Sequence, residues 1–330
     1  MPHVPGQAPV VSIGLPVYNG ERYLDATIRS ILGQTFHDFE LIIGDNASTD
    51  ATAAICARHA AADPRVRYYR NERNLGAGPN YDACFHRANG RYFKWAAHDD
   101  MIAPEYLARA VAALEARPDA VLCTVGITEI GPHDEVLRVY ANHFPGVSSA
   151  DPARRLGAVI HTRHQCEDFF GLFRREALIG SGLHGTFSGS DRVLLAEMAL
   201  RGPWVCVPDP LFLHREHPMR YTRALLLKDR REAAAWQDTS DAAKTASTLF
   251  HWVVYRHYWR AVAQHITDPA VRRRCHLELA RWWLTDGHAP DMLRDVMRTK
   301  TPGLFMQARA AKRALLGVNR QTPPGALPNA

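Results

Sequence analysis

A chain of 330 residues with 46% hydrophobic and 22% charged residues has the make-up of a globular protein, long enough for one large domain or two modest ones. Its net charge of +6 suits an anionic small ligand or an anionic surface, but the densest basic run, Arg272, Arg273 and Arg274, is too short for a nucleic-acid tail. No segment approaches the ~20 apolar residues that span a bilayer, and residues 1–9 lack the basic patch and apolar core of a signal peptide, so a cytoplasmic location is expected. The spacing then predicts a strand over residues 10–17 and a helix over 21–32, with Leu24, Ile28, Ile31 and Leu32 on one face. A buried strand follows over 39–44, and an Ala-rich helix over 49–62 with Ser48 or Thr49 as its cap. Next come a strand at 66–69, a helix at 80–88, a strand at 92–97, a helix at 104–116 with Pro104 in its first turn, and a strand at 120–125.

Strand and helix in alternation predict an α/β fold, a mostly parallel sheet flanked by helices on both faces. Such sheets bind ligands at the carboxyl ends of their strands. Chemistry is therefore expected just after Val17, Gly44 and Ala97. Residues 131–190 are less regular, and the chain turns helical from Met219. There, Trp252, Tyr255, Trp259 and Val262 share a helical face, followed by Leu277, Leu279, Trp282 and Trp283. That face packs on the preceding domain or on a partner subunit of a homodimer. The alternative is a basic amphipathic surface in peripheral contact with the inner membrane. The Pro-rich tail over 321–330 is expected to be disordered. Six cysteines, none in a CxxC pair, read as small buried hydrophobes in a reducing compartment, Cys123 and Cys206 among them.

Two common nucleotide signatures are missing. Gly76-Ala77-Gly78 runs into Pro79-Asn80-Tyr81 instead of completing GxGxxG, and no GxxxxGK[ST] occurs. A dinucleotide dehydrogenase and a P-loop nucleotidase are thereby disfavoured. Five polar clusters remain. Tyr18 and Asn19, after the first strand, offer a ring to a base and a cap or a ligand bond. Asp45, at the end of the next strand, offers a carboxylate to a base N–H or a ribose hydroxyl, ahead of the capping turn Ser48-Thr49-Asp50. His98-Asp99-Asp100 places two carboxylates after an apolar strand, a natural site for a hard cation. Asp191, after Gly189-Ser190, is either a general base or a first-turn acid behind a Ser190 cap. His214-Arg215-Glu216-His217 offers His217 to a metal, and Arg215 or Arg220 to phosphate.

In this order and at these spacings, the clusters resemble family 2 glycosyltransferases, inverting enzymes of GT-A fold. The resemblance covers about residues 10–218. It rests on Ser12-Ile13-Gly14-Leu15-Pro16-Val17-Tyr18-Asn19, on Leu24 to Gln34-Thr35-Phe36, and on Glu40-Leu41-Ile42-Ile43-Gly44-Asp45-Asn46-Ala47-Ser48-Thr49-Asp50. Asn71-Glu72-Arg73-Asn74-Leu75-Gly76, Gly90 to Trp95, His98-Asp99-Asp100, Gly189-Ser190-Asp191, Arg215 and His217 complete it. The resemblance divides the chain into a catalytic domain over 1–218, a helical region over 219–320 and the tail over 321–330. It implies that Pro16, Tyr18 and Asn19 line a nucleobase site and that Asp45 holds the base. It also implies that Asp99 contacts the nucleotide, that Asp99, Asp100 and His217 hold Mn2+ or Mg2+ on the diphosphate, and that Asp191 is the catalytic base. The implied partners are a nucleoside-diphosphate sugar, UDP- or dTDP-linked, and a glycan or lipid-linked acceptor, with no nucleic acid. Polysaccharide synthesis in a bacterial cell envelope is the implied setting. Two departures stand out: Ala97 occupies the position of the family's usual first Asp, and Ser190 that of a frequent Glu. The loss at Ala97 supports a rival reading, a catalytically silent binding module. Nucleotidyl transfer would call for a Gly-rich basic loop near the first strand, which this chain lacks.

Overall fold

The computed structural model describes residues 8–141, 144–162, 165–220, 236–237, 249–285, 287–301 and 303. Four strands, β1 (Val11–Val17), β2 (Phe39–Asp45), β3 (Val66–Arg70) and β4 (Tyr92–Trp95), pair in parallel in the order β3-β2-β1-β4. Every residue of β1 and β2 is buried. Continuous apolar runs are what a parallel sheet requires when helices cover both faces. One face carries α1 (Leu24–Leu32), α2 (Thr52–Ala62) and α4 (Tyr106–Ala116), whose Ile28, Cys56 and Leu107 share a core with Ile13 and Leu41. The other carries α3 (Ala77–His86), α5 (Pro152–His161) and α7 (Ser190–Arg201), whose Phe85, Leu156 and Leu194 pack with Phe93 and Trp95.

Beyond β4 the sheet is mixed. It continues β4-β8-β6-β9-β5, through β5 (Met101–Ile102), β6 (Leu122–Ile130), β8 (Leu172–Arg174) and β9 (Trp204–Arg215). β6 and β9 are parallel, whereas β5, β8 and the outer β7 (Val136–Tyr140) pair antiparallel with their neighbours. Antiparallel neighbours need no helical crossover, so these short strands carry no alternating signal. A bulge in β9 shifts its register opposite Gly126, where a Cβ would meet the Pro208 carbonyl oxygen at 2.6 Å.

Several boundaries differ from the sequence reading. Helix α3 starts at Ala77 and takes Gly78 and Pro79 into its first turn, where proline lacks only an N–H the helix does not use. Neither Ser48 nor Thr49 caps α2: its cap residue is Ala51, without a side-chain bond. Instead the Ser48 hydroxyl accepts from the Asn19 N–H at 3.0 Å. Cys206 is exposed on β9, and no disulfide joins any of the six cysteines.

The C-terminal helices are α8 (Phe250–His265), α9 (Pro269–Thr285) and α10 (His288–Lys300). A short helix, α6 (Arg175–Leu178), precedes α7. Val254, Tyr258 and Val262 of α8, with Leu279 and Trp282 of α9, join the core that holds Leu194 and Phe93. The helical region therefore packs on the sheet domain through a shared core. The face differs in part from the one expected: Val262 is buried and Tyr255 packs against the core, but Trp252 and Trp259 are 44% and 42% exposed, and Val254 and Tyr258 take their place inside. Trp259 stacks on His276, and the Trp252 indole N–H donates to the Met292 carbonyl. Interhelical partners thus hold both rings outside the core. The described helices include none long and apolar enough to cross a membrane. The expected tail over 321–330 lies outside the described residues.

Candidate active site

The carboxyl ends of β2, β1 and β4 lie side by side, because Val17 is in register with Asp45 and Gly14 with Trp95. The loops after β1 and β2 are stitched together. Asn19 sits at φ 52°, in the left-handed region that asparagine tolerates. Its Oδ1 accepts the Thr49 N–H at 2.9 Å. The Gly20 N–H donates to the Thr52 hydroxyl, and the Glu21 N–H to Asp50. A Cβ at Gly20 would meet Val17 at 2.6 Å and the His98 ring at 2.8 Å. That close approach is what lets the β1 loop touch the β4 loop.

These loops border a cavity of about 460 Å3. Tyr18, Asn19, Asp99, Asp100, Asp191 and His217 all line it. A smaller adjoining cavity of about 120 Å3 is lined by Pro16, Tyr18, Asn46, Asn74 and Tyr81. Tyr18 and Tyr81 border both, and Tyr18 is 42% exposed, with its ring available to a ligand.

Asp99 and His217 meet directly, with Nε2 2.9 Å from Oδ2. Burial alone would raise the Asp99 carboxyl, but the neighbouring His98 and His217 imidazoles hold it well below the usual carboxylate range. The His217 ring lies 5.0 Å from the Tyr23 ring, which also carries the Arg215 guanidinium at 4.6 Å.

Asp100 points elsewhere. Its Oδ1 accepts the Arg215 N–H at 2.8 Å and faces His214 Nδ1 at 3.3 Å. Among the described residues, Asp99, Asp100 and His217 do not converge to metal-ligand spacing. The expectation that all three hold one ion is corrected to an Asp99–His217 pair, with Asp100 anchoring the end of β9. Asp99 lies in the bend between β4 and β5, and the two neighbouring carboxyls diverge to different partners, His217 for Asp99 and the Arg215 N–H for Asp100. Arg215 is likewise structural. It is 1% exposed, donates to the Asp99 and Gly131 carbonyls and pairs with Asp134, so it does not meet phosphate.

Asp45 also differs from expectation. It is fully buried, borders neither cavity, and spends Oδ1 on the Ser48 N–H and Oδ2 on the Tyr68 hydroxyl, each at 2.9 Å. It fixes the turn after β2, and its neighbour Asn46 is the residue that lines the smaller cavity. Asp191 sits in the first turn of α7, half-buried, with Oδ1 accepting the Arg192 N–H at 2.7 Å. Gly189, at φ 85°, is the cap residue of α7, and Ser190 makes no cap bond. The left-handed cap aims the helix start at the cavity.

Sequence reasoning missed Tyr81, Trp236 and Gln237 and placed His184 in an acceptor-side stretch without a role; all four line the larger cavity. Tyr81 and His184 stack at 4.3 Å. Burial pushes the His184 imidazole below its ordinary value, against the pull of Asp191 and Asp82, so the ring stays neutral beside Asp191. Tyr81 follows the Asn71-to-Gly76 segment closely enough to have been flagged. Trp236 and Gln237 carry no such signal.

This arrangement, a ligand cleft at the carboxyl ends of parallel strands with acidic residues facing it, is that of a GT-A-type α/β domain. The family model for glycosyl transferase family 2 matches residues 12–180, more than half of the chain, and the chain belongs to this family. EpsE of Bacillus subtilis (strain 168), named as a glycosyltransferase, is 37% identical over 108 residues. That stretch is 32% of this chain and 39% of EpsE, so the chain spans less than half the length of the curated relative it matches. Among solved structures, residues 1–349 of S. aureus TarS in complex with UDP align with a TM-score of 0.60 at 14% identity, over 94% of this chain and 93% of that one. The mannosyltransferase PcManGT from Pyrobaculum calidifontis, in complex with GDP-Man and Mn2+, gives 0.52 at 17% identity, over 97% of this chain and 83% of that one. Both alignments extend into the C-terminal helices, so the shared fold is larger than the motif-bearing domain.

Proposed function

We propose that the chain is an inverting glycosyltransferase that moves a sugar from a UDP- or dTDP-linked donor to a hydroxyl of a glycan or lipid-linked acceptor. The observation that carries this reading is the single cavity bordered at once by Tyr18, the Asp99–His217 pair and Asp191. A base platform, a diphosphate anchor and a proton acceptor are the three things the reaction needs. Family membership and the UDP bound by TarS support the donor class.

Mn2+ or Mg2+ is the implied cofactor, and the donor set fits it. One ionised carboxylate and one imidazole face the cavity, and such ions complete their shell with substrate phosphate and water. The Mn2+ in PcManGT supports the choice. A bound divalent ion would offset the charge that builds on the departing diphosphate.

The chain's own residues do the rest. Tyr18 stacks on the base at the rim of the smaller cavity, which Pro16 and Asn74 also line, while buried Asn46 spends its amide on Asn74, Gly76, Asn71 and Leu75 and so shapes the wall. Asn19 holds the β1 loop against the β2 loop, so the base and the diphosphate keep a fixed separation. Asp191 takes the proton from the acceptor hydroxyl as that oxygen attacks the anomeric carbon. The nucleoside diphosphate leaves from the opposite face, so configuration inverts. Neutral His184 keeps a positive charge away from Asp191, which would otherwise weaken it as a base.

The test is turnover with UDP-sugars and dTDP-sugars in the presence of Mn2+. Release of nucleoside diphosphate supports transfer, and release of pyrophosphate contradicts it. Ala97 favours one second reading, a silent sugar-nucleotide-binding module. Nucleotide binding without any donor hydrolysis or transfer would establish that reading instead.

A further inference from the structure

A second constellation of ligand atoms lies in the C-terminal helices, among residues that do not border the cavity. His251 stands in the first turn of α8, and His288 and Asp291 lie one turn apart at the start of α10. One ligand atom from each falls within 4.8 Å of the other two. Two imidazoles and one carboxylate form a mixed nitrogen and oxygen donor set that selects zinc over magnesium or calcium, which take oxygen donors.

The surroundings fix the orientation of these donors. Asp295 Oδ2 lies 2.9 Å from His251 Nδ1 and also accepts the His251 backbone N–H at 3.0 Å. An Nδ1–H bound to a carboxylate turns Nε2 into the lone-pair nitrogen, as it is in many zinc sites where a carboxylate stands behind the histidine. His251 Nε2 faces Asp291 Oδ2 at 3.7 Å. That separation is close to the ~3.4 Å between neighbouring ligands at ~2.1 Å from a tetrahedral zinc. Arg294 pairs with the other oxygen of Asp291, at 2.9 Å, so the carboxylate is held with Oδ2 toward His251. Trp282 stacks on the His288 ring at 3.9 Å and fixes its plane.

We propose that His251, His288 and Asp291 bind one zinc ion that clasps the start of α8 to the start of α10, with Asp295 orienting His251 and with water in the fourth position. The site lies apart from the Asp99–His217 pair and does not depend on the proposed transfer reaction.

The experiment uses the full, untagged chain stripped of metal and titrated with zinc alone, read by calorimetry and by competition with a chromophoric chelator. A background carrying both Asp99→Asn and His217→Gln removes the other candidate site. In that background one zinc per chain is expected, together with a change in tryptophan emission, because Trp282 touches His288. Asp291→Asn and His288→Gln, each added to it, are expected to weaken zinc at least tenfold. Asp291 is partly exposed and its replacement isosteric, so this variant remains informative if His288→Gln fails to fold. No zinc bound in the double-variant background, or zinc affinity unchanged by Asp291→Asn, would overturn the proposal.

Discussion

His217 Nε2 lies 2.9 Å from Asp99 Oδ2, so a contact across 118 residues of sequence ties the end of β9 to the loop after β4. Each residue lends the other its role. The His98 and His217 imidazoles together hold Asp99 below the usual carboxylate range, and the carboxylate fixes the His217 ring at the cavity wall. Both side chains border the cavity, where they are the proposed anchor for a diphosphate-bound cation.

Asp191→Asn keeps the shape of the first turn of α7 and removes the basic oxygen. Transfer is expected to fall by roughly 10²–10⁴-fold, the usual worth of a positioned general base. Nucleotide affinity is expected to stay within twofold. Steady-state turnover and calorimetry on the same sample check this, and near-normal turnover would dismiss Asp191 as the base.

Tyr18→Ala removes a ring that is 42% exposed and makes no core contact. Thermal stability is expected to change by less than about 0.5 kcal/mol. Nucleoside diphosphate affinity is expected to drop roughly tenfold, or about 1.4 kcal/mol. Unaltered affinity would remove the base-stacking role.

Asp45→Asn separates two roles for a buried carboxylate. Its oxygens accept from the Ser48 N–H and the Tyr68 hydroxyl, and an amide N–H2 set against either donor leaves that donor unsatisfied. A loss of about 1–3 kcal/mol of stability is expected in denaturant melts. Unchanged stability with lost nucleotide binding would instead restore the direct base contact.

Lys94 gives a pH signature. Burial pushes its ammonium down from 10.5 to about 7, with Asp100 pulling weakly the other way. The folded chain therefore releases this proton near pH 7, and the unfolded chain near 10.5. Between those values the unfolded state binds more protons, so the Lys94 contribution to stability rises with pH, and the full cost of burying the charge is felt below the window. Lys94→Met removes the charge while the Phe170 carbonyl keeps the Tyr106 hydroxyl at 2.9 Å. The variant is expected to gain on the wild type by a few kcal/mol near pH ~6, with the gap closing by pH ~10. Parallel stability profiles for the two proteins would contradict this.

β1 and β2 were legible because they are buried, mostly apolar runs and α1 is amphipathic, whereas β3, Val-Arg-Tyr-Tyr-Arg, is mostly part-buried and marked more weakly. β5, β7 and β8 are two to five residues long and derive their pairing from distant partners, so no local period marks them. The site divided in the same way. That Tyr18, Asp99, Asp191 and His217 border one cavity was legible because polar residues at strand ends and helix starts lie where this topology opens its cleft. The directions of Asp45 and Asp100 were not, since a motif fixes a residue's place on the backbone and leaves the side chain's partners to tertiary contacts. The α8 face was legible only in part for a related reason: Val262 is buried as its spacing implies, but Trp252 and Trp259 are held at the surface by the Met292 carbonyl and the His276 ring.

The most direct test of the central claim is a calorimetric titration with UDP, dTDP and GDP, each with Mn2+ and with chelator, on the wild type and on Asp99→Asn. UDP or dTDP is expected to bind the wild type in Mn2+, at least tenfold more weakly with chelator, and Asp99→Asn is expected to bind in Mn2+ only as weakly as the wild type does without metal. Binding that is indifferent to both chelator and Asp99, or no binding of any nucleotide by a folded sample, would contradict the Asp99–His217 anchor and the transfer reaction built on it.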